Sequence, residues 1–477
     1  MTASHPIPFT NSYANLPERF FAPQAPTPVS APALIAVNDA LARQLGIAPD
    51  FLRSPEGVAM LAGNHLPEGA QPIAQAYAGH QFGGWVPQLG DGRAVLLGEV
   101  TTPQGSYDIQ LKGAGPTPFS RRGDGRAWVG PVLREYVVSE AMAALGLPTT
   151  RALGAAFTGD TVLRDMKRRR GAVLARVARS HVRVGTFQYF AARGDVEALQ
   201  ILTDHVIAKL YPDCQNALDL LQAVVAAQAR LIAGWMSLGF IHGVMNTDNM
   251  AVSGETIDYG PCAFSDIYHP EMVFSSIDQY GRYAYGAQPQ VALWNLAQFA
   301  TCLVPLMGPQ EAAVEQATAA INTFTPLYQA EWLGRFGRKI GIAEAQPEDL
   351  PLIQDFLTAL AQGQGDFTRS FTALRRGEDA AQELSDPALL ETWTSRWQTR
   401  LAQEADPQGV MAAANPLRIP RNHRVEAAIM AAEDGDLTPF ETLMKALAQP
   451  YGEAPEFAAF EAAPALSERV IRTFCGT

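Results

Sequence analysis

Apolar residues recur along the chain at two spacings, and the change from one to the other divides it near residue 190. At 107–112 they occupy every second position, which is typical of a half-buried β-strand. At 220–238 they recur at helical spacing and form one apolar face of a long helix. We therefore predict an α+β protein with a small β-rich part over 1–190 and a large helical part over 191–477.

The first part carries several shorter signals. Residues 1–32 are rich in proline with interleaved aromatic residues, which predicts an extended arm packed on the body. Residues 33–62 are predicted to form short helices. Short strands are expected around 152–157 and 172–177, with the basic run 167–170 as an exposed loop between them.

Composition narrows the class of protein. The 477 residues are 47% hydrophobic and 18% charged, enough for a large core divided between two or more lobes. The net charge of −12 argues against nonspecific binding to nucleic acid, because the phosphate backbone would repel the protein. The four cysteines are too scattered for a disulfide scaffold or a zinc cluster, and they indicate a reducing compartment.

Two segments are candidates for targeting or membrane signals, and neither has the pattern of one. The N-terminal residues lack the basic flank and apolar run of a signal peptide. The most apolar long segment, 217–241, contains Asp219, Gln222, Gln228 and Arg230, so it is a poor membrane span. We expect a soluble, cytoplasmic protein without a membrane partner.

Candidate chemistry concentrates in the stretch 241–260. It is predicted to form a loop and then a hairpin, whose two strands are 250–252 and 256–259. Such a hairpin would bring Asn249 close to Asp258, and their oxygens suit a hard divalent cation such as Mg²⁺. Asp248 could act on a proton at the same site. Taken alone, an Asn and an Asp beside a hairpin are more often turn and capping residues.

Possible phosphate ligands lie in the β-rich part. The turn Gly90, Asp91, Gly92 and Arg93 lets backbone N–H groups approach a polyphosphate, although an ordinary hairpin turn is the simpler interpretation. Lys112 ends the strand 107–112, which comes later in the chain. A helix is predicted to begin near Pro131 and to carry Glu135, which could pair with Lys112. A second cluster at 120–126 and the guanidinium groups of Arg176 and Arg183 also suit phosphate.

These elements occur in the order and at the approximate distances found in protein kinases. His242 opens the catalytic loop, Asn249 matches the metal-binding Asn, and Asp258 begins an Asp-Tyr-Gly in the place of Asp-Phe-Gly. The position of the kinase catalytic Asp is Val244, which cannot accept a proton. The order predicts a protein-kinase-like two-lobed fold in which the metal site is kept and the ordinary base is lost. The N-lobe with its arm would cover 1–190, and the C-lobe with the catalytic loop, the metal-binding hairpin and a C-terminal helical extension would cover 191–477.

The chain also closely resembles the selenoprotein O family of pseudokinases over nearly its full length. The resemblance is carried by 77–83 (Tyr-Ala-Gly-His-Gln-Phe-Gly), 110–115 (Gln-Leu-Lys-Gly-Ala-Gly), 242–250 (His-Gly-Val-Met-Asn-Thr-Asp-Asn-Met) and 258–261 (Asp-Tyr-Gly-Pro). It implies a protein adenylyltransferase that transfers AMP from ATP to hydroxyl side chains of proteins, itself included, and releases pyrophosphate. It also implies an ATP that is inverted relative to kinases.

The resemblance assigns roles to individual residues. Asp248 would be the proton acceptor, and Asn249 and Asp258 would bind Mg²⁺ or Mn²⁺, with Asp258 also counted in the nucleotide site. The other nucleotide-binding positions would be Gly90, Gly92, Arg93, Lys112, Asp124, Gly125, Arg176 and Arg183, supported by Glu135. Cys475 takes the place of the selenocysteine found in other members, and we hypothesise a redox-sensitive disulfide between Cys262 and Cys475. Two thiols in a reducing cytoplasm are the alternative.

Three alternatives remain open from the sequence. Uridylylation from UTP is a variant of the same chemistry. An atypical kinase with a displaced base would transfer the γ-phosphate, and Val244 argues against it. A non-catalytic nucleotide-binding scaffold would bind ATP without turnover, and the retention of both metal ligands argues against that.

Overall fold

The computed structural model describes residues 7–474, and most of its strands lie before residue 179. The strands of this sheet region are β1 (Phe9–Thr10), β2 (Phe21–Pro23), β3 (Ala33–Val37), β4 (Ile73–Gln75), β5 (Gly79–Gln81), β6 (Gly84–Val86), β7 (Ala94–Thr102), β8 (Gly105–Lys112), β9 (Ala127–Trp128), β10 (Arg151–Arg164) and β11 (Lys167–Ala178). Its helices are α1 (Asp39–Gln44), α2 (Pro49–Arg53), α3 (Pro55–Ala62) and α4 (Val129–Ala144).

These strands form one antiparallel sheet with the order β2-β4-β7-β8-β11-β10-β3, to which β1 adds beside β7 and β9 beside β11. The short hairpin β5–β6 stands apart from it. Apolar side chains of α1, α2 and α3 cover one face of the sheet. Helix α4 covers the other face together with two helices from the end of the chain.

Strand β8 confirms the alternating pattern and adds one feature to it. Ile109 and Leu111 are buried in the core beneath α1–α3, as the period of two predicts. The opposite, polar face is buried as well: Asp108 and Gln110 are almost fully enclosed, and Lys112 is held in ion pairs. The strand is therefore buried on both faces, and its polar side chains are positioned by other charges rather than by water.

Three predictions for the sheet region need comment. The arm is extended and packed on the body over the described residues 7–32, with Tyr13 and Phe20 buried in the core. The prediction of short helices over 33–62 is wrong for its first residues, which form the edge strand β3 paired with β10. The basic run 167–170 is not a loop; it belongs to β11, and Arg170 donates to the Ala432 carbonyl at 3.2 Å.

The helical region confirms the change of pattern along the chain. Its long helix, α7 (Ala217–Ser237), follows α5 (Val184–Ala191) and α6 (Val196–Leu210), and the two short strands β12 (Phe240–Ile241) and β13 (Ala263–Phe264) pair with each other. The later helices are α8 (Gln288–Leu303), α9 (Gln310–Asn322), α10 (Phe324–Lys339), α11 (Leu350–Gln362), α12 (Phe367–Arg376), α13 (Glu391–Leu401), α14 (Pro407–Ala414), α15 (Asn422–Asp434) and α16 (Thr438–Leu447).

Helix α7 is long and apolar enough to cross a membrane, the one such helix among the described residues. Its apolar face is buried against other protein segments, with Leu220, Val224 and Leu231 in the largest hydrophobic cluster. The helix therefore serves as the core of the helical region, which is the placement that the sequence pattern predicts.

The predicted hairpin at 250–259 is wrong in its pairing. The turn exists, since the Gly254 N–H donates to the Ala251 carbonyl at 3.2 Å. The two arms, however, pair with other segments: Ala251 bridges to Arg183 and Thr256 bridges to Thr149. Neighbouring chain from the sheet region thus replaces the partner strand that local sequence suggested.

The segment 415–423 joins the end of the chain to the rest. The Arg418 guanidinium donates to the carbonyls of Ala446, Gln449 and Gly452, and Asn422 exchanges hydrogen bonds with the backbone of Phe264. Helix α15, which begins at Asn422, packs on α4. The C-terminal helices therefore brace the helix that carries Glu135.

Candidate active site

A cleft of about 420 Å³ lies between the sheet region and the helical region. It is lined by every predicted nucleotide-binding, metal-binding and proton-accepting position: Gly90, Gly92, Arg93, Lys112, Asp124, Gly125, Arg176, Arg183, Asp248, Asn249 and Asp258. The structure thus brings together residues that lie between positions 90 and 258 of the sequence.

Asp258 lies at the centre of a cluster of cations. Its Oδ1 accepts from Lys112 Nζ at 2.7 Å and from Arg176 Nη1 at 2.6 Å, and its Oδ2 accepts from Arg183 Nη1 at 2.6 Å. Burial opposes ionisation, but the three cations outweigh it and hold the pKa of Asp258 well below its usual range. The carboxylate is therefore ionised and fixed in position.

Glu135 completes this cluster from helix α4, behind the cleft wall. Its Oε2 accepts from Lys112 Nζ at 2.6 Å and its Oε1 from Arg176 Nη1 at 3.0 Å. The predicted pairing with Lys112 is thus present. Lys112, Arg176 and Arg183 thus face the carboxylates of Asp258 and Glu135, and Arg183 also lies 3.8 Å from the carboxylate of Asp91.

The backbone at Asp258 is strained. Its φ of 62° lies in the left-handed region that residues with a side chain rarely adopt. The Tyr259 hydroxyl, deeply buried behind it, meets the Thr149 hydroxyl. The ion pairs on one side and the Tyr259 ring on the other hold Asp258 in this conformation, which directs its carboxylate into the cleft.

The loop before Asp258 is shaped by His242, which is fully buried. Its Nε2 lies 2.8 Å from the Ile257 carbonyl, and its ring stacks on Trp235. Burial lowers the pKa of this imidazole. The Val244 carbonyl in turn accepts from Asn249 Nδ2 at 2.9 Å, which leaves the amide oxygen of Asn249 as the atom able to face a cation.

Asp248 has a different environment from Asp258. Its Oδ2 accepts from Gln81 Nε2 at 3.1 Å, while its buried Oδ1 has no hydrogen-bond partner within residues 7–474. Arg183 Nη1 donates to the backbone carbonyl of Asp248 at 2.7 Å, so it supports the loop rather than neutralising the carboxylate directly. Burial raises the pKa of Asp248 to about 6. A carboxylate with one unengaged oxygen is chemically suited to accept a proton.

Two glycine turns form the other wall of the cleft. Gly90 has φ 73°, and a Cβ there would lie 2.3 Å from the Phe119 ring. Gly125 has φ 64°, and a Cβ there would overlap the Gly115 carbonyl. Contacts within this wall of the cleft therefore require glycine at both positions. Asp124, beside Gly125, is held by Arg164 through two hydrogen bonds of 2.7 and 2.8 Å.

Sequence reasoning missed several residues of this site. Asp91 is buried, accepts from the Gln75 N–H and from Gln110 Nε2, and lies 3.8 Å from Arg183. Burial raises its pKa to about 6. The Tyr77 ring lies beneath the Arg183 guanidinium at 4.6 Å. The turn that contains Asp91 and the motif 77–83 point to this part of the chain. Neither pattern, however, singles out Asp91 or Tyr77 as a site residue.

The predicted redox pair lies partly outside the described residues. Cys262 is buried next to the cleft, whereas Cys475 falls beyond residue 474. The chain just before it returns to this place, since Thr473 Oγ1 donates to the Pro261 carbonyl at 2.5 Å. The disulfide between Cys262 and Cys475 stays a prediction.

Comparison with known proteins agrees with this geometry. The family model described as "Protein adenylyltransferase SelO" matches residues 5–448. Proteins named "Protein nucleotidyltransferase YdiU" are similar over 99% of both chains: that of Ruegeria sp. (strain TM1040) is 58% identical over 472 residues, and that of Jannaschia sp. (strain CCS1) is 57% identical over 478. A relative of the same name from Rhodopseudomonas palustris (strain ATCC BAA-98 / CGA009) is 55% identical over 492 residues, again over 99% of both chains. The chain therefore belongs to the protein adenylyltransferase SelO family and is an enzyme of the nucleotidyltransferase class.

Proposed function

We propose that this enzyme transfers AMP from ATP to hydroxyl side chains of proteins and releases pyrophosphate. The observation that carries the proposal is the charge pattern of the cleft. Lys112, Arg176 and Arg183 converge there, while the carboxylate of Asp248 keeps one oxygen unengaged. The first feature suits a polyphosphate and the second suits an acceptor hydroxyl.

We further propose that the cleft is that of a protein-kinase-like, two-lobed fold, with an N-lobe over 1–190 and a C-lobe over 191–477. The ion pair of 2.6 Å between Lys112 and Glu135 supports this, since a strand lysine and a helix glutamate pair in the same way in kinases. Val244, at the position of the kinase base, favours a chemistry other than γ-phosphoryl transfer.

The deep position of two arginines supports an inverted nucleotide. Arg176 and Arg183 line the cleft although they are only 1% and 3% exposed. A nucleotide that enters with its β- and γ-phosphates foremost would meet both guanidinium groups. They would stabilise the charge that develops on pyrophosphate as it leaves, and a low-dielectric site strengthens that stabilisation.

The residues present also fit a divalent cation. Among the described residues no group of three or more His, Cys, Asp or Glu side chains forms a metal cage. One amide oxygen from Asn249 and one carboxylate from Asp258 match the few protein ligands that Mg²⁺ or Mn²⁺ needs when phosphates and water supply the rest. Such a cation would offset phosphate charge, and Asn249 and Asp258 would hold it.

The transfer itself would use Asp248. The acceptor oxygen forms a bond to the α-phosphorus, the bond from that phosphorus to the oxygen leading to the β-phosphate breaks, and pyrophosphate leaves. The hydroxyl proton passes to the carboxylate of Asp248, which lines the cleft. Because this carboxylate is buried and its pKa is raised to about 6, it is a stronger base than an exposed aspartate.

UMP transfer from UTP is the second candidate, because the relatives are named for nucleotidyl transfer in general. Three labelled nucleotides separate the possibilities: ATP labelled at the α-phosphate, ATP labelled at the γ-phosphate, and UTP labelled at the α-phosphate. Each is incubated with the enzyme, Mg²⁺ or Mn²⁺, and casein as acceptor, with Asp258→Asn as control. Labelling of casein or of the enzyme itself from α-labelled ATP supports the proposal.

The other outcomes identify the alternatives. Label from α-labelled UTP alone makes the enzyme a uridylyltransferase. Label from γ-labelled ATP alone makes it a kinase and overturns the inverted nucleotide. Binding of ATP without any labelling would favour a scaffold. A cytoplasmic location stays a prediction.

A further inference from the structure

The hairpin β5–β6 lies directly against the loop that carries Asp248. Three consecutive hairpin residues bind three consecutive loop residues: the His80 N–H donates to Thr247 Oγ1 at 2.7 Å, Gln81 Nε2 donates to Asp248 Oδ2 at 3.1 Å, and the Phe82 N–H donates to Asn246 Oδ1 at 3.0 Å. The two segments are far apart in sequence, so these contacts are a product of the tertiary fold.

The backbone of the hairpin packs directly against the side chain of Asp248. A Cβ on Gly79 would lie 2.7 Å from Asp248 Oδ1. A Cβ on Gly185 would lie 3.3 Å from Asp248 Cα and 2.1 Å from the Ala78 carbonyl. Both glycines are needed for this contact, so the hairpin, α5 and the loop fit together around the Asp248 carboxylate.

The anchoring of the loop does not depend on Gln81. Thr247 Oγ1 also donates to Gln188 Oε1 at 2.6 Å, and the Tyr283 hydroxyl donates to Asn246 Oδ1 at 2.6 Å. Gln81 instead contacts the reactive group of the loop, the carboxylate of Asp248. We propose that Gln81 is a positioning residue for Asp248, an inference that rests on the proposed function.

The geometry explains how it would act. The terminal torsion of an aspartate is soft, so the two carboxylate oxygens can rotate or exchange unless a partner holds one of them. The amide N–H of Gln81 holds Oδ2 while the Gly79 backbone packs against Oδ1, so the carboxylate keeps one orientation towards the cleft. Without this bond the loop stays in place, but the proton acceptor samples orientations from which transfer fails.

Two substitutions separate positioning from packing. Gln81→Met keeps the length and flexibility of the side chain but cannot donate a hydrogen bond. Trp85→Leu is the control for the hairpin itself, because Trp85 packs on the His80 ring at 4.9 Å on the opposite strand.

The measurement is the initial rate of transfer of α-labelled ATP or UTP to casein and to the enzyme, over a range of nucleotide concentrations, with the full chain and with Tm as the check on folding. We expect Gln81→Met to lower kcat about 10-fold with the nucleotide KM unchanged, as for loss of a residue that orients a reactive group. Trp85→Leu should keep the wild-type rate.

Several results would overturn the inference. If Gln81→Met works at the wild-type rate, the side chain only fills space. If the nucleotide KM rises while kcat is unchanged, Gln81 belongs to the nucleotide site. If wild type transfers neither nucleotide, the proposed function fails and the role of Gln81 fails with it, whereas an active wild type with an unaffected Gln81→Met removes the inference alone.

Discussion

Two buried charge networks lie on the same polar face of the sheet, and they differ in what they leave unpaired. The inner network joins Asp108 of β8 and Glu99 of β7 to Lys209 at 2.5 and 2.7 Å, with His181 3.1 Å from Asp108. Each of its carboxylate oxygens has a hydrogen-bond partner. The cleft network, built around Asp258, joins Lys112, Arg176 and Arg183 to Asp258, Glu135 and, at 3.8 Å, Asp91.

The comparison shows how to tell a structural charge network from a functional one. Residue types and burial are alike in both, so neither criterion separates them. The difference lies in the carboxylates: Asp91 and Asp248, beside the cleft, each keep one buried oxygen without a hydrogen-bond partner among the described residues, whereas every carboxylate oxygen of the inner network has one. Unsatisfied buried groups are costly, and their presence beside an open cleft indicates a ligand.

The largest expected effect comes from exchanging one aspartate in each network. Asp258→Asn should lower nucleotidyl transfer by about 10³-fold or more, because it removes the charge that fixes three cations and would hold the metal. Asp108→Asn should leave the rate per folded molecule near wild type and lower the free energy of unfolding. Initial rates and urea unfolding of both variants check this. Equal loss of rate in the two variants would contradict the distinction.

The next effect is on stability, and here the inner network should be more sensitive to substitution than the cleft network. Lys209→Met should cost about 3–5 kcal/mol of unfolding free energy, because it leaves the buried carboxylates of Asp108 and Glu99 without their cation. Lys112→Met should cost less, since Asp258 keeps Arg176 and Arg183 and Glu135 keeps Arg176. Urea unfolding at pH 7.5 measures both. A larger loss from Lys112→Met would show that the cleft network is the structural one.

A third expectation concerns the cations of the cleft. Pyrophosphate without nucleotide should stabilise the enzyme by about 1–3 kcal/mol at concentrations well above its Kd, because it binds only the folded cleft. The effect should weaken in Arg176→Met and in high salt. Thermal unfolding with pyrophosphate, and with sulfate at matched ionic strength as control, measures it. Equal shifts from both anions would indicate general salt effects rather than a cleft ligand.

The sequence predicted the elements of the fold better than their partners. Alternation identified β8, and helical spacing identified α7, since each pattern is local. The basic run 167–170 was misread because its arginines look solvent-exposed, whereas Arg169 pairs with Glu433, 264 positions along the chain. Similarly, local turn chemistry at 253–255 suggested a hairpin, but long-range pairing with Arg183 and Thr149 decided the structure.

The predictions for the site divide in the same way, between residues within a recognisable motif and contacts between distant segments. Lys112, Glu135 and Asp258 were predicted from motif order, and the structure joins them by direct ion pairs. Asp91 was read as a turn residue and Gln81 as part of a motif, because nothing near them in sequence reports burial or contact. The Gln81 contact spans 167 positions, so no local pattern could have revealed it.

The smallest effect expected is a pH-dependent one at Asp91. Burial raises the pKa of this carboxyl from 3.8 to about 6, so between these values the folded enzyme binds a proton that the unfolded chain releases. Ionised Asp91 therefore reduces stability above pH 6, and acidification towards pH 4 removes that cost. His181 in the inner network acts in the other direction: its pKa is lowered to about 4 through burial, so stability falls as the pH drops below 6.5.

Asp91→Asn separates the two contributions, because it abolishes the titration in the cleft and leaves that of His181. The variant should be more stable than wild type by about 1 kcal/mol at pH 8, and this advantage should vanish by about pH 4.5. Urea unfolding of both proteins at the two pH values measures it. An advantage that is equal at both pH values would mean that Asp91 is not ionised in the folded cleft at pH 8, so that a neutral acid rather than a carboxylate lies beside Arg183.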